Sequence, residues 1–168
     1  MEITSDNTEM GKAVEHHIIS MLLKHGFDVY VPIIDKGTDL IVKDENGGFI
    51  EIQVKSRRIN CDDDCFFIKD FEVRRNFLII CHNWNEDKFF VIPSLIFHRH
   101  SKLQENKTYR ELTYSKLKSK GCQEEKGLDF LRKALESKSN RVKLFLDEED
   151  EEEVNAYISS IKNETQNC

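Results

Sequence analysis

The sequence predicts an α/β domain, and three observations carry that prediction. An amphipathic helix opens the chain, three short strands separated by turn residues follow it, and two apolar strands precede a helix-rich C-terminal part. Ser5, Asp6, Asn7 and Thr8 offer helix N-caps, because their short polar side chains accept hydrogen bonds from the first free N–H groups. A helix is expected over residues 9–25, with Val14, Ile18, Met21 and Leu22 on one face at helical spacing. Gly26 stops it.

Residues 27–34 read as a strand, with Pro32 near its end, and Lys36-Gly37 as a turn. Residues 38–43 form a second expected strand, and residues 44–48 a hairpin loop. Residues 49–56 are the clearest strand. Ile50, Ile52 and Val54 alternate with Glu51, Gln53 and Lys55, so apolar and polar side chains point to opposite faces. Residues 57–64 read as a polar loop and 65–68 as a short strand. Residues 77–82 and 88–92 read as buried strands, 95–99 as a helix and 109–137 as mostly helical, with Leu128, Leu131 and Leu135 on its apolar face.

At 168 residues, the expected organisation is one domain over residues 1–143 and an acidic tail over 144–168. No run of 18 apolar residues occurs, which excludes a membrane-spanning helix, and the polar, acidic N-terminus lacks the features of a secretory signal. A cytoplasmic location is expected. The five cysteines form no CxxC pair, so free thiols are expected in preference to a zinc site.

The net charge of −6 hides a strong asymmetry. Residues 99–143 carry thirteen Lys/Arg against six Asp/Glu, a balance of +7, and residues 144–168 carry one Lys against eight acids, a balance of −7. A local basic stretch of this kind can steer a phosphate backbone, and it equally suits a solvated helical surface.

Asp39 and Gln53 fall on neighbouring strands of the expected hairpin, where side chains can converge. Together with the backbone carbonyl of Val54 they offer three oxygens to a hard divalent cation such as Mg²⁺ or Mn²⁺. Lys55 would stand beside a water attacking phosphorus, where it can orient that water and offset developing charge. Singly, each residue has a plainer reading: Glu15 as an exposed helix residue, Asp39 as a turn residue, and Glu51, Gln53 and Lys55 as the wet face of a strand. His16 and His17 stand about 100° apart on the helix and do not share a face. His98 and His100 read as solvated, and the adjacent Asp62, Asp63 and Asp64 do not converge on one ion from an extended loop.

The joint pattern runs Gly11 to Glu15, then Gly37-Thr38-Asp39-Leu40, then Glu51-Ile52-Gln53-Val54-Lys55-Ser56-Arg57-Arg58. It resembles the PD-(D/E)XK, or restriction-endonuclease-like, nuclease superfamily. Within it, the motif pattern is similar to the archaeal Holliday junction resolvases. The resemblance implies an αβββαβ core with a mixed central sheet flanked by helices, and a metal-dependent endonuclease that hydrolyses DNA phosphodiester bonds. It implies Glu15, Asp39, Gln53 and Lys55 as catalytic residues. Asp39, Gln53 and the Val54 carbonyl would hold Mg²⁺ or Mn²⁺, with Glu51 and Glu15 as further candidate ligands. Ser56, Arg57 and Arg58 would grip DNA. DNA is the expected partner, with a homodimer as the candidate assembly and no membrane. Gln53 departs from the pattern, since the family has Glu or Asp two residues before the lysine. The alternative is therefore a catalytically inactive module on the same fold that binds nucleic acid or another protein.

Overall fold

The structure, a computed structural model, describes residues 6–34, 36–43, 49–74, 76–104, 108–120 and 122–123. Helix α1 (Asp6–Lys24) ends where Gly26 takes a φ of +80°, a left-handed conformation that glycine adopts without a Cβ clash. The Phe27 N–H then donates back to the Leu22 carbonyl at 3.1 Å and satisfies one of the free carbonyls at the helix end. Strand β1 (Asp28–Tyr30) is shorter than the expected 27–34. Pro32 has no N–H to pair, and β1 is the edge of the sheet, so nothing extends the ladder past it. Val31, Ile33 and Ile34 are left exposed.

Strands β2 (Leu40–Lys43) and β3 (Phe49–Arg57) form the expected antiparallel hairpin, with Leu40 opposite Ile52 and Ile41 opposite Glu51. The chain then makes strand β4 (Cys65–Lys69) before entering β5 (Phe77–Asn83), which runs parallel to β3. Among the described residues this crossover carries a strand, where the αβββαβ pattern has a helix. Strand β6 (Lys88–Pro93) returns antiparallel to β5, followed by helix α2 (Ser94–His100). Strand β7 (Lys102–Leu103), strand β8 (Tyr109–Thr113), helix α3 (Tyr114–Lys120) and strand β9 (Cys122–Gln123) complete the described chain.

The main sheet is mixed, with order β1-β2-β3-β5-β6-β9, and a smaller antiparallel sheet has order β4-β8-β7. The expected helix from residue 109 begins only at Tyr114. Tyr109–Thr113 pairs with β4, and the buried Leu112 faces the buried Phe66 across the ladder. The helix expected beyond residue 123, the basic stretch there and the acidic tail lie outside the described residues.

Two apolar layers sandwich the main sheet. On one face, Val14, Ile18 and Leu22 of α1 pack on Leu40, Val42, Ile50, Ile52, Val54 and Ile80. On the other, Ile79, Cys81, Phe90 and Ile92 pack beneath Phe66 and Ile68 of the small sheet and Phe97 and Leu117 of the helices. Strand β5 is buried along its whole length because it lies at the centre of both layers.

Ile18 is fully buried between α1 and the sheet. Ile18→Ala is expected to lower stability by about 2–5 kcal/mol through lost burial and the cavity left behind. Urea unfolding followed by circular dichroism would measure it as a lower midpoint at unchanged slope.

Candidate active site

The site grows out of the β2–β3 hairpin. Gly37 takes a φ of +80° and turns the chain into Thr38 and Asp39. The Asp39 N–H donates to the Ile52 carbonyl at 2.9 Å, which continues the β2–β3 ladder by one residue. The Asp39 carboxylate then accepts the Val54 N–H at 2.7 Å. The N–H and C=O of one strand residue project to the same edge, so the Val54 carbonyl lies on the Asp39 side of β3. By register Asp39 lies across from Gln53, on the sheet face that also carries Glu51 and Lys55.

Gln53 is 6% exposed. Its amide nitrogen lies 3.8 Å from where a Cβ on Gly37 would stand. It borders a pocket of about 170 Å³ that is also lined by Lys36, Gly37, Arg74 and Phe77. Lys55 is half-buried and sits beside Cys81, its register partner on β5. Burial pushes the Cys81 thiol well above its ordinary range, and the Lys55 cation partly opposes that rise.

Glu51 has a different environment. Its carboxylate accepts from the Thr38 hydroxyl at 2.7 Å and forms an ion pair with Arg74. The Arg74 guanidinium also donates to the Thr38 hydroxyl at 3.2 Å and lies 3.8 Å from the centre of the Phe77 ring. Ser94 fixes the Arg74 backbone by accepting its N–H at 3.1 Å and donating to its carbonyl at 2.7 Å. This places Glu51 in a neutralised pair. A cation held by the carboxylate offsets charge that a metal would otherwise meet there. Arg74, Thr38 and Ser94 were not singled out in the sequence, where nothing marks the partner of a residue 23 positions away.

Glu15 lies on α1, whose Val14 and Ile18 pack on the opposite face of the sheet from Gln53 and Lys55. Lys12 pairs with its carboxylate at 2.6 Å. The sheet therefore brings Asp39, Gln53, Val54 and Lys55 together and leaves Glu15 on the helical layer. Ser56, Arg57 and Arg58 do not form one patch. Arg57 shares the Lys55 side and is engaged, donating to the Cys65 carbonyl at 2.5 Å and lying 4.8 Å from the centre of the Phe67 ring. Ser56 is half-buried and Arg58 exposed.

The three aspartates at 62–64 diverge, as their spacing implied. Asp62 pairs with Lys118 at 2.6 Å, and the Asp64 carboxylate accepts the Asn60 N–H at 2.7 Å and the Cys61 N–H at 3.3 Å. Those two N–H groups hold the Asp64 carboxyl below its usual range. Their contribution to the loop is thus present above the ordinary carboxylate range and fades as pH falls through the lowered value.

A family model described as PD-(D/E)XK endonuclease matches residues 5–78, a little under half of the chain. The match contains the whole β2–β3 hairpin. The α/β architecture, with a mixed central sheet and flanking helices, is restriction-endonuclease-like. Among solved structures, the chain is similar to the bacterial homing endonuclease I-Ssp6803I, with 19% identity over 67% of this chain and 78% of that one and a TM-score of 0.47. Comparison with curated proteins finds no match.

If Arg74 neutralises Glu51, Arg74→Met removes the cation and leaves a partly buried carboxylate beside Phe77. The expected cost is roughly 1–3 kcal/mol of stability at neutral pH. Glu51→Gln added to Arg74→Met should recover part of it. Chemical unfolding of the parent, Arg74→Met, Glu51→Gln and the double variant checks this, and additive effects would show that the two side chains do not interact.

Proposed function

We propose that this protein is a metal-dependent endonuclease that hydrolyses DNA phosphodiester bonds, with a resolvase-like or restriction-like choice of substrate. The observation that carries the reading is the convergence of the Asp39 carboxylate, the Val54 edge of β3 and the buried Gln53 amide beside Lys55. This donor set fits Mg²⁺ or Mn²⁺. A hard cation of that size takes one or two carboxylates with carbonyl, water and phosphate oxygens, and the buried Gln53 amide borders a pocket.

A bound divalent ion supplies a lowered water pKa and neutralises the phosphate under attack. Asp39 and Gln53 would hold it, with Val54 adding its carbonyl. Asp39 is itself oriented by the Val54 N–H, so the carboxylate needs no reorganisation on binding. Lys55 would hold the attacking water in line by a hydrogen bond and offset charge developing on the phosphate oxygens. Arg57, on the Lys55 side of β3, would contact a phosphate flanking the cut, and Arg suits this because its planar fork binds two oxygens. A cytoplasmic enzyme acting as a homodimer is consistent with this scheme.

The competing reading is a silent module that keeps the fold and binds nucleic acid or a protein. Gln53 in the place of a carboxylate favours it, because a neutral amide offers a dipole where the family offers a charge.

Two measurements separate them. Asp39→Asn and Lys55→Ala should each lower cleavage of branched or linear DNA by at least about 10²-fold with an unchanged circular dichroism spectrum. Full activity in either purified variant would remove that residue from the mechanism. Gln53→Glu is nearly isosteric and adds one charge, so it should tighten Mn²⁺ binding by calorimetry. A parent protein that binds no Mn²⁺ would leave the silent module as the better account.

A further inference from the structure

The small sheet has one face in the core and one in solvent. Phe66, Ile68 and Leu112 are buried against the main sheet, and the alternate positions point outward. Two of those outward positions are aromatic and open to solvent: Phe67 is 37% exposed and Tyr109 38%. Tyr109 pairs with Lys69, two residues along β4 from Phe67, so the rings are diagonal neighbours on one face. Phe67 faces Glu111, which in turn faces the exposed Lys102 of β7. The Arg57 guanidinium lies over the Phe67 ring at 4.8 Å. This surface carries Arg57, Lys69 and Lys102 beside two carboxylates, Asp70, which pairs with Lys69 at 3.9 Å, and Glu111, which accepts from the Gln104 amide at 2.5 Å.

We propose that this face of the small sheet holds an unpaired segment of the nucleic-acid substrate, with its bases stacked on Phe67 and Tyr109. The inference rests on the nuclease reading above and adds the substrate class: DNA with a single-stranded stretch beside the cut. Two observations point to nucleic acid as the occupant. The first is continuity with the site, because Arg57 follows Lys55 on the same side of β3, about 7 Å along the strand. A backbone whose phosphate lies at Lys55 can continue past Arg57 onto the platform. The second is the placement of cations at the rings, because Arg57 lies over Phe67 and Lys69 stands across the ladder from Tyr109. Unpaired bases stack on such rings whatever their sequence, and cations track the backbone between them. Intact duplex presents its sugar-phosphate edge to a flat face and keeps its base faces buried in its own stack, so it gains little from exposed aromatics.

The test uses the full chain and fluorescein-labelled DNA at low salt, with EDTA present so that nothing is cleaved. Three probes share one sequence: a single strand, a blunt duplex and a duplex with an unpaired tail. The proteins are the parent and Phe67→Ala/Tyr109→Ala, both checked by circular dichroism. Both aromatic side chains are partly solvent-exposed and outside the core, so the double variant should fold. The expected result is tighter parental binding to the single-stranded and tailed probes than to the blunt duplex. The double variant should lose about tenfold or more on those two probes, with less than about twofold change on the duplex. Equal loss on all three probes, or parental preference for blunt duplex, overturns the platform and leaves the nuclease reading standing. If the parent binds none of the probes and cleaves no DNA, the nuclease reading itself fails, and the exposed rings then belong to a protein interface.

Discussion

Strand β3 is enclosed on both faces, and one of those faces is polar. Burying Glu51, Gln53 and Lys55 costs free energy unless each finds a partner inside the protein. The rest of the molecule answers that demand in three ways. Arg74 and Thr38 take Glu51, with Ser94 bracing the arginine's backbone. Lys55 is only half-buried and keeps its cation near solvent. Gln53, the most buried of the three, borders a pocket. A polar row that was entirely structural would be closed along its length. Here it is closed at Glu51 and open at Gln53, and Asp39 reaches across to the open end.

The local half of this arrangement was legible in the sequence. Helical spacing in α1 and the strict alternation of β3 are short-range signals, and they located the hairpin and the face carrying Gln53 and Lys55. What the sequence concealed depends on pairing between distant segments. The crossover from β3 to β5 runs through β4, whose partner β8 lies some forty residues further on. Nothing in the five residues Tyr109–Thr113 distinguishes a strand from the start of a helix until Phe66 and Ile68 are placed beneath them. Arg74 was hidden for the same reason, since its role is defined by Glu51 and Thr38, 23 and 36 positions away. Ser56, Arg57 and Arg58 read as one basic grip in the sequence, yet alternation along a strand sends neighbours to opposite faces.

The sheet also separates two kinds of chemistry. The α1 side of β3 is a continuous apolar layer, and Glu15 sits on the helix that covers it. The opposite side carries the polar row, the pocket and the edge of the small sheet. Because strands pass one residue to each side, the same nine residues of β3 build the core and the site at once. A substitution at Ile52 or Val54 therefore acts on the site through the position of the strand, and one at Gln53 or Lys55 leaves the apolar layer in place.

The ion pair at Glu51 also has a consequence for the order in which the protein takes shape during synthesis. Asp39 and Val54 are 15 positions apart and Thr38 and Arg74 are 36 apart, a difference in loop-closure cost of under about 1 kcal/mol. The larger difference is in time. The hairpin bearing Asp39, Gln53 and Lys55 can close once Arg58 has left the ribosome, but Glu51 then waits without its cation until Arg74 follows. Over that interval the chain holds a formed hairpin edge next to an uncompensated carboxylate, and β3 has no parallel neighbour. The arrival of the crossover ends both conditions together, since it delivers Arg74 and then β5.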